Sequence, residues 1–125
     1  MQSRDTLQKM KDKVVIITGA SSGIGKALAF SFGQEGAKIV ITGRKEAPLL
    51  EVSRELTIAG IENLALVSDV SIEKDNVEMV EKTVQKYGKI DVLINNAGIM
   101  IPPQSKTEDG FEMQFGVNFV GHFAL

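Results

Sequence analysis

Three glycines and two serines near the start of the chain could together bind a phosphate group. They lie in Thr18-Gly-Ala-Ser-Ser-Gly-Ile-Gly25, between an apolar run and a segment with helical periodicity. The first N–H groups of a helix have no intrahelical partner, and the helix dipole favours negative charge at that end. The first glycine permits a tight turn, the second lets a pyrophosphate approach the backbone, and the third allows close packing of helix on strand. The candidate contacts are Gly19, Ser21, Ser22, Gly23, Ile24 and Gly25.

The same pattern has a second interpretation, a glycine-rich turn that binds nothing. The segment lacks the Gly-Lys-Ser/Thr ending of a P-loop, which disfavours nucleoside triphosphate hydrolysis. The choice between a phosphate site and a plain turn therefore depends on the surrounding elements.

Four short apolar runs, three of them rich in β-branched residues, predict strands that are covered on both faces. Helical segments separate them, which favours right-handed βαβ units and a three-layer α/β domain with a parallel sheet in the order 3-2-1-4. Residues 1–10 have no periodicity and predict a flexible tail, which leaves residues 11–125 as one domain. The predicted strands are Lys13–Thr18, Lys38–Thr42, Asn63–Ser68 and Ile90–Asn95.

Apolar stripes at helical spacing predict the helices, and glycines end the first three of them. The last helix would begin at a cap on Thr107 or Asp109 and continue to the end of the chain. The predicted stripes are Ile24, Ala27, Leu28, Ser31 and Phe32; Leu49, Val52, Leu56 and Ala59; Val77, Val80, Val84 and Tyr87 after a cap at Ser71; and Phe111, Phe115 and Asn118.

The composition excludes several classes of partner. Fourteen Lys and Arg residues against 16 Asp and Glu residues leave a formal charge of −2 without a basic block, so nucleic acid is not an expected partner. The chain has no cysteine and a single histidine, His122, which argues against disulfides and a zinc site. No apolar run approaches the roughly 18 residues of a membrane span. We expect no membrane partner and a cytoplasmic location.

The glycine segment, taken together with Asn95-Asn-Ala-Gly98, resembles the pattern of the short-chain dehydrogenase/reductase family. The resemblance runs from about Lys11 to the last residue and implies a Rossmann-like domain that binds a nicotinamide dinucleotide. Ser105–Asn118 and Gly121–Leu125 resemble the retinol-dehydrogenase branch, whereas the first hundred residues resemble bacterial members. Natural variation and a chimera of two sources are both consistent with this difference.

The end of the second strand indicates which dinucleotide is preferred. Sites for NAD carry a carboxylate about 20 residues past the glycines, where it binds the ribose 2′-hydroxyl. This chain has Thr42-Gly-Arg-Lys45 there and no acid. Because a guanidinium can pair with a 2′-phosphate, Arg44 and Lys45 predict NADP(H) in preference to NAD(H). The alternative is that both are solvated charges at the start of a helix.

Two further strand ends are expected to contact the cofactor. In similar proteins an acidic side chain and the next backbone amide after the third strand bind the adenine edge, which implies this role for Asp69 and Val70. The alternative is that Asp69, together with Ser71, caps the following helix. At the end of the fourth strand the resemblance implies that Asn95, Ala97 and Gly98 form a floor of small residues beneath the cofactor, with Asn95 also linking strands.

The catalytic part of the family pattern is incomplete. The resemblance implies that Asn118 holds a water relay, although a buried structural amide is an alternative. The family also needs a serine and a tyrosine followed four residues later by lysine, whereas the only tyrosine, Tyr87, is followed at that place by Asp91 and is expected in the core. His122 is a weak alternative as a proton donor.

We therefore predict the cofactor-binding half of a short-chain oxidoreductase that is catalytically incomplete by itself. The fourth strand and the last helix would lack their covering elements, which predicts self-association through them. Two alternatives remain: an engineered or structural Rossmann fragment that self-associates without a physiological ligand, and an enzyme completed by a separate chain.

Overall fold

A computed structural model of the chain describes residues 9–96 and 116–119. Within these residues, four strands alternate with three helices and a fifth strand follows. The strands are β1 (Val14–Thr18), β2 (Lys38–Gly43), β3 (Asn63–Val67), β4 (Val92–Asn95) and β5 (Gly116–Phe119), and the helices are α1 (Gly23–Gln34), α2 (Glu46–Ile58) and α3 (Glu73–Tyr87).

The first four strands form a parallel sheet, and the predicted order 3-2-1-4 is confirmed within the observed order β3-β2-β1-β4-β5. Ile16 of β1 lies between Val40 of β2 and Leu93 of β4. Since parallel strands all end at the same edge of a sheet, the loops after β1, β2 and β3 meet at the carboxyl edge.

Helices cover both faces of the sheet, as the three-layer prediction requires. Alternate residues of β1 point to opposite faces: Val15 and Ile17 pack with α1 and α2, whereas Val14 and Ile16 pack with α3. These four side chains are at most 1% exposed. Burial of each contributes roughly 1.5–3 kcal/mol, which makes β1 the centre of the core.

The predicted stripe of α1 is correct for Leu28 and Phe32, which pack against the core, and wrong for its other three residues. Gly25 and Ala29 are the buried residues, whereas Ile24 is 57% exposed. Ala27 and Ser31, also in the predicted stripe, are exposed. The reason is that α1 rests on the sheet through its small residues, which a search for large apolar side chains does not select.

The prediction for α3 needs two corrections. Val77 is 48% exposed, and Met79 and Thr83 are buried instead. Thr83 can be buried because its hydroxyl donates to the Met79 carbonyl at 2.8 Å. The N-cap is Ile72, without a side-chain cap bond, so Ser71 does not cap this helix. In α2, by contrast, Leu49, Val52 and Leu56 are buried as predicted, although Ala59 is exposed.

The prediction of a last helix through Asn118 is wrong at residues 116–119, which form β5. This strand pairs antiparallel with β4, and Asn118 lies opposite Leu93. The outer edge of β4 is therefore not open as expected, because β5 pairs with its backbone N–H and C=O groups. The rest of the predicted helix, and residues 1–8 of the predicted tail, lie outside the described residues. Met10 belongs to the described part, and its N–H donates to the Glu35 carbonyl at 2.9 Å.

A buried carboxylate holds the amino edge of the sheet together. The Asp91 carboxylate, 4% exposed, accepts a 2.8 Å hydrogen bond from the Val14 N–H and pairs with the Lys89 ammonium at 3.1 Å. Burial alone would raise the pKa of this carboxyl, but the Val14 N–H and the Lys89 charge outweigh it, so that its pKa is lowered. Asp91 is therefore ionised in the folded protein and joins β1 to the start of β4.

Replacing Asp91 by Asn should lower the free energy of unfolding at pH 7 by about 1–3 kcal/mol, since charge-assisted bonds to a buried acceptor are lost. Because the folded pKa is depressed, this contribution is complete above the ordinary aspartate pKa of 3.8 and disappears as the pH falls through the folded value. Urea unfolding of the wild type and of Asp91→Asn should thus converge at acid pH. A difference that is independent of pH would contradict this role.

Candidate cofactor site

Three loops that are far apart in the sequence meet at the carboxyl edge and form a cleft of about 540 Å³. They are the glycine loop after β1, the corner after β2 and the turn after β3. The cleft is lined by Gly19, Ser21, Ser22, Gly43, Arg44, Lys45, Pro48, Ser68, Asp69, Val70 and Ser71. Seven of the thirteen residues that were predicted to bind the cofactor therefore line this one cleft.

The glycine loop has the backbone conformation that an anion site requires. Gly19 and Gly23 adopt left-handed φ angles of +65° and +59°, which favour glycine, and open space surrounds the position of a Cβ at Gly23. Ser22 is the N-cap of α1 and makes no side-chain cap hydrogen bond, and the first turn carries no acid. Its hydroxyl and the first N–H groups of α1 therefore fit a phosphate. Ile24, predicted as a contact, is exposed in this turn.

Gly25 sets the distance between α1 and the sheet. A Cβ at this position would overlap the carbonyl oxygen of Gly19 and lie 2.8 Å from Asn96 Nδ2 and 3.0 Å from the Ala20 Cα. Close packing at Gly25 is therefore present as predicted, but the atoms that it meets belong to the glycine loop and to Asn96 rather than to a strand. A side chain here would push α1 away from the loop that it helps to shape.

Asn96 joins the glycine loop to β4. Its backbone N–H donates to Thr18 Oγ1 at 2.9 Å, and its side-chain amide donates to the Gly19 carbonyl at 3.2 Å. The Thr18 hydroxyl lies 3.3 Å from Asn95 Oδ1, so the predicted role of Asn95 in linking strands has a contact that supports it. Asn96 was not among the residues predicted for the site. The available signal was an asparagine doublet at the end of the strand that neighbours β1.

The corner after β2 provides the positive charge of the site. Arg44 and Lys45 are both exposed in the cleft. Gly43, which precedes them, was not predicted as a site residue, yet a Cβ there would lie 3.0 Å from Ser21 Oγ. A larger residue would crowd the Ser21 hydroxyl in the glycine loop. The glycine-arginine pair at the strand end therefore combines close packing with an accessible cation.

Asp69 forms a turn of its own after β3. Its Oδ1 accepts hydrogen bonds from the Ser71 hydroxyl at 2.6 Å and the Ser71 N–H at 2.9 Å. These two bonds and the charge of Arg44 lower the pKa of Asp69 and keep it an ionised acceptor at the cleft. The backbone N–H of Asp69 donates to Asp75 in α3 at 2.9 Å, which holds the turn in place.

Other predicted residues lie elsewhere. Ala97 and Gly98 are outside the described residues, and Asn118 is known only as a backbone position in β5. Tyr87 ends α3 near Glu62, at the amino edge, and it packs against the core as expected. Burial and the Glu62 carboxylate raise the pKa of Tyr87 to about 12. This tyrosine is therefore far from the cleft and a poor proton donor at neutral pH.

Residues 9–96 and 116–119 contain neither a metal-binding cluster nor a membrane-spanning helix. No cluster of three or more histidine, cysteine or acidic side chains there could hold a metal ion. None of their helices combines the length and hydropathy needed to cross a membrane.

Residues 13–125 match the sequence model of the short chain dehydrogenases. An uncharacterised oxidoreductase of Listeria monocytogenes is 39% identical over 90% of this chain and 46% of its own length. Retinol dehydrogenase 13 of Homo sapiens is 40% identical over 90% of this chain and 35% of its own length. A similar fold occurs in the crystal structure, with cofactor, of a short-chain dehydrogenase/reductase of unknown function from Caenorhabditis elegans. The TM-score is 0.65 and the sequences are 39% identical; the match covers 68% of this chain and 32% of that one.

The glycine loop, the parallel sheet and these matches define a nicotinamide-dependent class of oxidoreductase domains. The chain belongs to the short-chain dehydrogenase/reductase family. It spans 46% of the Listeria relative and 35% of the human one. The bacterial and the retinol-dehydrogenase resemblances each extend over nine-tenths of it.

Replacing Gly25 by Ala should lower the free energy of unfolding by about 1–3 kcal/mol, because the methyl group overlaps backbone atoms that cannot move independently. At an open helix position the same change usually stabilises by about 0.5–1 kcal/mol. Ala27→Gly, at an exposed position of the same helix, is the control and should cost only about 0.5–1 kcal/mol. Urea unfolding measures both variants. Stabilisation by Gly25→Ala would contradict the close contact.

Proposed function

We propose that this chain is the NADP(H)-binding half of a short-chain oxidoreductase that interconverts a carbonyl and an alcohol. The observation that carries the proposal is the cleft itself, which combines a helix start suited to an anion with Arg44 and Lys45 and in which Asp69 is the only carboxylate among the described lining residues. When bound, the nicotinamide supplies or accepts the hydride. The residues of this chain bind and orient the dinucleotide.

Each part of the cleft fits one part of the dinucleotide. The first turn of α1 and the Ser21 and Ser22 hydroxyls would hold the pyrophosphate. Arg44, supported by Lys45, would pair with a ribose 2′-phosphate, which a carboxylate at this corner would repel. Asp69 and the Val70 amide would bind the adenine edge.

The residues predicted to lie near the nicotinamide are those at the end of β4 and Asn118. Asn95 supports this part through its contact with Thr18. Ala97 and Gly98 as the floor, and Asn118 in a proton relay, stay predictions. The whole enzyme's substrate is an alcohol or carbonyl compound. The family requires a tyrosine followed four residues later by a lysine, and this sequence has no such pair. They would come from the remaining half of the enzyme or from a separate chain.

Gly23 allows a direct test of cofactor binding, because Gly60 provides a matched control. Both glycines adopt left-handed φ angles, +59° and +81°, and both have open space around the Cβ position. Alanine at either place should cost a similar backbone strain of roughly 1–2 kcal/mol. Only Gly23→Ala should weaken NADPH binding, by tenfold or more, because its methyl group occupies the approach of the pyrophosphate.

A fluorescence titration of NADPH with the wild type and both variants measures this difference. Equal affinities of Gly23→Ala and Gly60→Ala would contradict the assignment of the phosphate site. A wild type that does not bind NADPH would instead support the alternative of a Rossmann fragment without a physiological ligand.

The preference for NADP(H) depends on Arg44. Arg44→Ala should weaken NADPH binding about tenfold or more, as expected for lost hydrogen bonds to a charged group worth about 1.5–3 kcal/mol. NADH affinity should change less than about threefold, since NADH has no 2′-phosphate to interact with the guanidinium. Arg54→Ala is the control, because Arg54 is exposed on α2 and pairs with Glu51 away from the cleft. An equal loss for both cofactors, or tighter binding of NADH by the wild type, would contradict the preference.

A further inference from the structure

Among residues 9–96 and 116–119, no strand pairs with the outer edge of β3, which lies at the opposite end of the sheet from β5. In a strand, the N–H and C=O of one residue point to the same side, and successive residues alternate. The Glu62 carbonyl and the Ser68 N–H bond to β2. The N–H and C=O groups of Asn63, Ala65 and Val67 consequently point away from the sheet.

This edge carries few of the features that protect free strands. Asn63-Leu-Ala-Leu-Val67 contains no proline and no charged residue, although such residues commonly prevent edge pairing. Val67 is 54% exposed, and Leu50 on α2 is 49% exposed. A groove of about 280 Å³ runs beside Ala65, Leu66, Val67 and Ser68. The edge is thus apolar, accessible and equipped with unused backbone groups.

The charges along the groove are separated by sign. Glu46, Asp75 and Glu78 line it near the end of β3. Because α3 runs antiparallel to β3, the residues at helical spacing after Glu78, which are Lys82 and Lys86, lie progressively nearer the start of β3. The edge therefore has an acidic carboxyl end, whereas at the amino end on the α3 side Lys82 and Lys86 outnumber the exposed Glu62 near Tyr87.

We propose that the β3 edge pairs with the β3 edge of a second copy of this chain, antiparallel and around a two-fold axis at Ala65. Antiparallel pairing places the acidic end of each edge against the basic end of the other, whereas parallel pairing would place acid against acid. Residues 63, 65 and 67, which point outward, become the hydrogen-bonded pairs of the new ladder, with about six interchain bonds. The result is a continuous sheet through both copies.

The dimensions of the two elements agree with this arrangement. The eight residues from Glu78 to Lys86 rise by about 12 Å along α3. Asn63 and Val67 are about 13 Å apart along β3. Glu78 of one copy therefore lies level with Lys86 of the second copy. On the other face, Leu50 of each copy lies near the two-fold axis, where its exposed side chain can be covered.

A charge exchange tests the proposal by sedimentation velocity from about 1 to 500 µM protein. The wild type should show a monomer–dimer equilibrium. Glu78→Lys and Lys86→Glu should each weaken the dimer about tenfold or more, because each places like charges across the interface. The double variant restores opposite charges and should recover most of the wild-type affinity. Val67→Lys should abolish dimerisation by placing a charge in the apolar edge.

Glu81→Lys, the same charge change on α3 outside the groove lining, should leave the dimer within about twofold of the wild type. Circular dichroism of each variant confirms that the fold is retained. A wild type that is monomeric at every concentration would overturn the proposal, and so would a double variant that stays as weak as the single ones. A dimer that is insensitive to Val67→Lys would show that another surface is used.

Discussion

The contact between α1 and the glycine loop is the constraint on which the site depends. Gly25 lies so close to the Gly19 carbonyl that a single methyl group would overlap it, and Asn96 donates to the same carbonyl from the end of β4. The Asn96 N–H also donates to the hydroxyl of Thr18, the last residue of β1, so the end of β4 is bonded to the end of β1. Close packing at the start of α1 and hydrogen bonds between the loop, β1 and the end of β4 therefore meet at the Gly19 carbonyl.

The electrostatics of the cleft follow from the same arrangement. The parallel sheet brings three loops to one edge, so that the positive end of α1, the Arg44 cation and the Asp69 carboxylate are close in space although they are far apart in the chain. The helix start and the cation favour the anionic parts of a dinucleotide. The Asp69 carboxylate accepts a hydrogen bond from the Ser71 hydroxyl. Binding of a nicotinamide dinucleotide is consistent with the family to which the chain belongs.

The two edges of the described sheet have different environments. The edge of β4 is paired within the chain by β5, whereas the edge of β3 remains accessible beside a groove with separated charges. The fourth strand was predicted to be the open edge, and no expectation concerned the edge of β3. The hydrophobicity of both strands is similar, so composition does not distinguish them. What distinguishes them is a pairing between segments more than 20 residues apart, and local patterns do not record such a pairing.

The amino-acid sequence by itself determined the first four strands, their order and the loops of the candidate site, because β-branched runs, glycine positions and crossover handedness are local or general constraints. The tertiary structure decided the rotation of α1, the exposure of Val77, the contacts of Gly43 and Asn96, and the strand at Gly116–Phe119. Each of these features depends on how closely two helices, strands or loops approach each other in the fold. Small residues permit such an approach, but periodicity, which counts large apolar side chains, does not reveal it.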